Sequence, residues 1–396
     1  MRAAVLAVES CATLAAMYVP SAIVGVGGNG VVLAAVRRAD AAPVAVKVVY
    51  KNLARAYDPC VPNEIVLLRD FVHPHAVEYI DDFEDAFHYY LVTRHCMPYG
   101  PAASLAADPP APRSPDACAD PACPHCCALP LPLPPARQSH AQMPPTPVSS
   151  VAVPDSDAPP PSPRDAAYGD GLPVLSLDCV SPAGHIVPIV YSRSSSDLHA
   201  FLRSARAARG SLCSAVLRRL FAHVAVAVAA LHAHGWSHGD IKQENVLVDA
   251  NLDAILCDFG HARPLPQLGT PACSLPVSAA GTTAMTPPEL LPNLALRGMS
   301  PDCELRVLVS GCEADVWALG MLLFTMTHNR MPACQPALLR GELDLAGCHA
   351  LPCDFDDAAP KDLRHLVSSM LAIDPANRIS AADVLKHPYI ASFVAA

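Results

Sequence analysis

Between residues 101 and 190 the chain carries 22 of its 42 prolines and not one lysine, in tracts such as ALPLPLPPARQ and APPPSPRD. Each proline fixes φ and removes a backbone donor, so a stretch this dense in them is expected to stay extended and without a packed core. The rest of the fold must therefore form from two separate pieces, one on each side. Residues 18–50 alternate short β-branched runs with turns (YVPSAIVG, GVVLAAV, PVAVKVVY), the pattern of a small antiparallel sheet. Residues 60–72 (CVPNEIVLLRDFV) show helical spacing, with Pro62 and Asn63 at its start, and FHYYLVT at 87–93 reads as a further strand. Beyond Asp197, SDLHAFLRSARA and SAVLRRLFAHVAVAVAALHAHG carry helical patterns that persist to the end. The expected organisation is an extension at 1–17, a β-rich lobe at 18–100, a Pro-rich and largely disordered insertion at 101–195, and a helical lobe at 196–396.

Bulk properties narrow the function. A net charge of −10 speaks against a general nucleic-acid-binding surface. The 16 cysteines are scattered through a large chain with no convincing secretory signal, which favours reduced thiols and a cytoplasmic or nuclear setting. The apolar N-terminus is interrupted by Glu9 and flows into a strand-like run, so it does not read as a cleaved peptide. The run Leu220–Leu231 is too short to cross a bilayer and contains His223, so a buried helix is expected. Only five lysines stand against 22 arginines. A lysine kept in a suggestive place is therefore informative, because its compact ammonium is not mimicked by a guanidinium.

Gly25–Val26–Gly27–Gly28–Asn29–Gly30–Val31–Val32 spells G-x-G-x-x-G-x-V between two strand-like runs. Glycines let backbone amides approach a phosphate, although a plain glycine-rich turn has the same composition. A dinucleotide fingerprint would need a helix next, and a strand follows instead. Val44–Ala45–Val46–Lys47 comes next, then Glu64 on the following helix, placed to pair with Lys47. His238–Gly239–Asp240–Ile241–Lys242–Gln243–Glu244–Asn245 has the spacing H-x-D-x-K-x-x-N, with Asp258–Phe259–Gly260 thirteen residues beyond Asn245. Gly281–Thr282, Pro287–Pro288–Glu289, Asp315 in DVWALG and Arg378 in DPANRIS complete the series.

In this order and spacing the motifs resemble those of the eukaryotic protein kinases, over roughly 18–100 and 196–392. The resemblance implies an α+β bilobal fold, with a small antiparallel β lobe carrying one helix and a larger helical lobe, binding ATP and Mg²⁺. It implies that Gly25, Gly27 and Gly30 cover the phosphates, and that Val26, Gly28, Asn29, Val32 and Ala45 also bind the nucleotide. Lys47 would hold the α/β-phosphates, oriented by Glu64, while Asp240 acts as catalytic base and Lys242 neutralises the transferred group. Asn245 and Asp258 would hold Mg²⁺. Thr93 would be the gatekeeper, with Arg94, His95 and Cys96 as the hinge. Thr282 and Asp315 would brace the catalytic loop, and Glu289 and Arg378 would form a buried ion pair.

Lysine two residues after the catalytic aspartate is the Ser/Thr-kinase pattern, which implies protein substrates with Ser or Thr acceptors. A pseudokinase serving as an ATP-binding scaffold is the alternative, and a kinase-fold enzyme acting on a small molecule is a third reading. Gly239 departs from the family's arginine, which implies activity independent of phosphorylation of the activation loop, or another route of control. Other departures are Met285 where an aromatic is common and a short insertion around 292–312. Within 101–195, CADPACPHCC (Cys118 to Cys127) has C-x₂-C spacing but lacks a clear second ligand pair. Ser114, Thr146, Ser162 and Ser181 precede prolines, and the Pro-rich tracts offer docking segments to SH3-like modules.

Overall fold

The computed structural model describes residues 11–27, 30–51, 61–96, 176–180, 186–191, 197–209, 212, 214–265, 283–291 and 311–394. CADPACPHCC, the four Ser/Thr-Pro sites, Gly281–Thr282 and the expected short insertion lie outside them, apart from residues 311 and 312 of the last.

The sheet of the small lobe follows the sequence alternation closely. A short helix α1 (Ala12–Met17) leads into β1 (Tyr18–Gly27), β2 (Gly30–Arg37) and β3 (Pro43–Tyr50). Helix α2 (Asn63–Asp70) and strands β4 (Tyr79–Glu84) and β5 (His88–Arg94) follow. Because side chains alternate faces along a strand, Val31, Leu33, Ala35, Val44, Val46, Val48, Tyr90 and Val92 all fall on one side. There they form a buried core with Cys11, Leu14 and Tyr18. Residues 11–17, expected to be an extension, thus cap that face. The opposite positions are aligned across three strands: Val32 pairs with Lys47 and Lys47 with Leu91, while Ala34 pairs with Ala45 and Ala45 with Thr93.

The sheet has seven strands in the order β4-β5-β3-β2-β1-β7-β6. The last two, β6 (Ser176–Val180) and β7 (Ile186–Tyr191), form an antiparallel hairpin beside β1. They fall inside the span 101–195, where extended chain was expected. Their segments LSLDCV and HIVPIVY are rich in strand-forming residues, and Pro188 on β7 stands outside the short register with β1 (Ala22 with Val190, Ile23 with Tyr191), so no ladder bond to β1 needs its missing donor.

The large lobe is helical: α3 (Leu198–Arg209), α4 (Ser214–Ala233), α5 (Gly311–His328), α6 (Gln335–Leu339), α7 (Lys361–Met370), α8 (Ala381–Val384) and α9 (Ala391–Val394). Between α4 and α5 lie the short strands β8 (Trp236–Ser237), β9 (Val246–Val248), β10 (Ala254–Leu256) and β11 (Arg263–Pro264). At 20 residues, α4 is longer than the Leu220–Leu231 run, and by length and composition it could cross a membrane. Its Val216, Leu220, Phe221, Val224, Val228 and Leu231 are instead buried in the lobe's core with Trp317, Leu322 and Phe324 of α5.

The lobes meet along a backbone seam. Leu256 donates its N–H to the carbonyl of His75 (2.8 Å) and accepts from Val77 (3.0 Å), so the loop before β4 is zipped to the strand that runs into Asp258. Ile65, Leu67 and Leu68 of α2, with Phe71 just after it and Leu91 of β5, join the core of the large lobe. The helix of the small lobe is therefore packed on the segment that carries the acidic motif.

Candidate active site

Motif residues 211 positions apart converge at this seam. Lys47 Nζ lies 2.6 Å from Glu64 Oε2 and 2.7 Å from Asp258 Oδ1. Burial disfavours the ammonium, but the two carboxylates outweigh it and hold the Lys47 pKa above its ordinary value. For Asp258, burial pushes upward and Lys47 pulls harder downward, to about 2. Glu64 reaches further, its Oε1 accepting the Phe259 N–H at 3.1 Å.

A second cluster is built on the loop between β8 and β9. Asp240 Oδ2 accepts from Lys242 Nζ (2.7 Å) and Asn245 Nδ2 (2.8 Å), and Asn245 Nδ2 also binds the Asp240 carbonyl. The loop rests on Asp315, the fifth residue of α5 and 1% exposed in its side chain. Asp315 Oδ2 accepts the His238 N–H (2.7 Å) and Oδ1 the Gly239 N–H (2.8 Å), while His232 Nε2 lies 2.9 Å from Oδ2. Burial works against a charged His232, but the hydrogen bond to Asp315, with help from Cys312, raises its pKa to about 10.

His238 ties the two clusters together. Its Nδ1 accepts the Asp240 N–H (3.2 Å), so Nε2 carries the proton and donates to the Cys257 carbonyl (3.1 Å). Burial lowers its pKa, which suits this neutral tautomer.

The structure explains the glycine before Asp240. Gly239 has φ +78°, a left-handed conformation, and a Cβ there would lie 2.8 Å from the His261 carbonyl oxygen. Gly30 is constrained even more tightly, because its Cβ would stand 1.9 Å from the Val48 carbonyl oxygen. Gly25, by contrast, would gain only ordinary contacts with Val32. The hairpin tip places Gly25, Val26 and Gly27 on β1 opposite Gly30, Val31 and Val32 on β2, while Gly28 and Asn29 lie outside the described residues.

Thr93 sits beside Ala45 on the inner face of the sheet, and the chain leaves β5 at Arg94. Arg94 is exposed and ion-paired with Glu78 (2.5 Å). His95 and Cys96 follow, with burial pushing the Cys96 thiol up to about 12. Arg378 makes bidentate bonds to Glu289 (2.8 and 3.1 Å) behind the site. Met285 packs against the large-lobe core.

The donor set suits a nucleotide with a hard divalent cation. Asn245 uses its amide nitrogen on Asp240, which leaves the amide oxygen as a ligand, and Asp258 uses Oδ1 on Lys47, with Oδ2 as a second hard oxygen. Three contributors were missed from sequence. His232 was read only as part of a helical run, His238 stood in the motif without a role of its own, and Asn63, read only as a helix start, donates Nδ2–H to the Ala262 carbonyl at 3.2 Å. No pattern at residue 63 could reveal a partner 199 positions away.

Residues 18–105 and 178–390 match the family model of the protein kinase domain. The serine/threonine-protein kinase PLK4 of Nematostella vectensis is 30% identical over 174 residues, 44% of this chain and 16% of that protein. The CBL-interacting protein kinase 22 of Oryza sativa subsp. japonica is 32% identical over 180 residues, 44% of this chain and 35% of the relative. The dual specificity protein kinase TTK of Mus musculus is 34% identical over 168 residues, 41% and 18% respectively. The matched stretch spans at most about a third of the length of these relatives.

Proposed function

The chain belongs to the protein kinase domain family, and from that premise we propose that it transfers the γ-phosphoryl group of ATP to Ser and Thr hydroxyls of proteins, with Asp240 as the base. The observation that carries this reading is that Lys242 and Asn245 pair with Asp240, that Glu64 and Asp258 pair with Lys47, and that His238 joins the two sets through Asp240 and Cys257. None of these groups has been replaced by one lacking its charge or donor chemistry.

ATP with Mg²⁺ supplies the phosphoryl group and a cation that offsets charge on the phosphate oxygens. The rest falls to this chain. Lys242 and Asn245 occupy Oδ2 of Asp240 and fix the carboxylate, leaving Oδ1 to accept the proton of an incoming hydroxyl. Lys242, 2.7 Å from that carboxylate, carries positive charge to the transferred group. Lys47 is pre-positioned by Glu64 and exchanges its bond to Asp258 for one to a phosphate oxygen. Asn245 and Asp258 present the oxygens for the cation. The inner sheet face around Val32, Ala45 and Thr93 receives the adenine, against the backbone of Arg94 to Cys96. Gly25, Val26, Gly27, Gly28, Asn29 and Gly30 close over the phosphates.

Lys242 and the serine/threonine-protein kinases among the relatives support Ser/Thr acceptors. The test is transfer from γ-labelled ATP with Mg²⁺ to casein and histone, followed by phosphoamino-acid analysis. Phosphoserine and phosphothreonine are the expected products. Phosphotyrosine alone would overturn the acceptor class, and ATP binding without transfer would leave a scaffold in place of an enzyme.

A further inference from the structure

Residues 259–265, which follow Asp258, are held at almost every position. The Phe259 N–H donates to Glu64, and the Gly260 N–H to Asp258 Oδ1 (3.4 Å). The His261 carbonyl occupies the space that a side chain on Gly239 would need. The Ala262 carbonyl accepts from Asn63 Nδ2 at 3.2 Å. Arg263 pairs with Ser237 between β11 and β8, and the Leu265 N–H donates to the Gly235 carbonyl at 2.7 Å.

Two of these holds come from neighbouring residues in the first turn of α2. Glu64 is already explained by its pairing with Lys47. Asn63 takes no part in that pair and reaches instead across the lobe seam. Together they grip the two ends of a single 3₁₀ turn, the Phe259 N–H and the Ala262 carbonyl. Both grips start from the turn of α2 that also brings Glu64 to Lys47. Ordering such a segment through a phosphate requires a facing cation, usually an arginine. The position before Asp240 offers none, since Gly239 has no side chain.

We propose that Asn63 is a positioning residue that fixes residues 259–262, and Asp258 with them, without phosphorylation of the chain. The kinetic consequence rests on the phosphotransfer reading above; the structural consequence does not.

The test uses the full chain, phosphatase-treated and verified unphosphorylated by intact mass, as wild type and as Asn63→Asp. Aspartate keeps the shape, removes the donor and suits the first turn of a helix, so folding is preserved. Loss of one such bond predicts a fall in kcat of about five- to tenfold with KM for ATP little changed. Amide exchange at 259–265 should accelerate by a similar factor while exchange within α4 stays as in wild type. General destabilisation would move both regions. Unphosphorylated wild type that is inactive until phosphorylated would overturn the proposal and leave the phosphotransfer reading intact. Unchanged exchange at 259–265 in Asn63→Asp would also overturn it. If no form transfers phosphate, the earlier reading fails, and exchange alone decides the role of Asn63.

Discussion

The two loops that flank the reaction centre are built on opposite plans. The catalytic loop at 238–245 stands on buried charge, with two consecutive backbone N–H groups donated to Asp315 and a charged His232 behind them. The glycine hairpin at 25–30 stands on the rim of the sheet, and its Val26 is 56% exposed. A carboxylate that must meet a hydroxyl in one geometry needs a fixed support. A cover over a nucleotide that enters and leaves needs freedom to move. The distinction also runs inside the hairpin, where Gly30 is locked against β3 and Gly25 is open.

That internal contrast yields the largest expected effect. Gly30→Ala drives a methyl into the Val48 carbonyl, so β2 must part from β3. The expected cost is about 3 kcal/mol or more, in the range of severe overpacking. Gly25→Ala meets only Val32 at 3.6 Å and should stay within about 0.5 kcal/mol on folding. Urea titration of the two variants separates them, and equal losses would break the distinction.

On the fixed loop, Asp315→Asn leaves His232 without its counter-charge and weakens both loop bonds. Removing one partner of a buried pair predicts a loss of about 3 kcal/mol. Thermal unfolding beside an activity assay reads this, and an unchanged transition would show that the loop does not depend on Asp315.

Gly239→Ala is expected to be milder. A left-handed backbone costs a non-glycine residue about 1–2 kcal/mol, and the clash with the His261 carbonyl adds to it. Activity should fall with stability. A variant as stable and active as wild type would place the strain elsewhere.

The same buried pair can be read from pH. His232 has a folded pKa of about 10, above its unfolded value near 6.5. Its contribution to stability is therefore complete below pH 6.5 and is lost as pH rises through 10. Unfolding free energy measured across that window should decline more steeply for wild type than for His232→Gln. Parallel curves would show that His232 is not charged in the folded protein.

The sequence made the motif residues legible because each spacing is set by local geometry. Lys47 lies two residues from Ala45 on one strand face, and Lys242 and Asn245 lie within one loop of Asp240. The β1, β2 and β3 boundaries were legible for the same reason, through alternation over eight to ten residues. The hairpin at 176–191 was hidden because proline density over ninety residues masked two short β-branched runs. The need for glycine at 239 was also hidden. It follows from a carbonyl 22 positions later that reaches the loop only when β11 pairs with β8. His232 and Asn63 act across still longer separations, 83 and 199 positions, and no local pattern encodes them.

If the Asp240 cluster performs the transfer, loss of its carboxylate must abolish most of it. The most direct measurement compares wild type with Asp240→Asn for phosphoryl transfer to a Ser/Thr protein substrate, with ATP affinity measured in parallel. Transfer should fall by about 10² to 10⁴ while ATP affinity is retained, because Lys47, Glu64 and Asp258 are untouched. Equal transfer by the two proteins would contradict it.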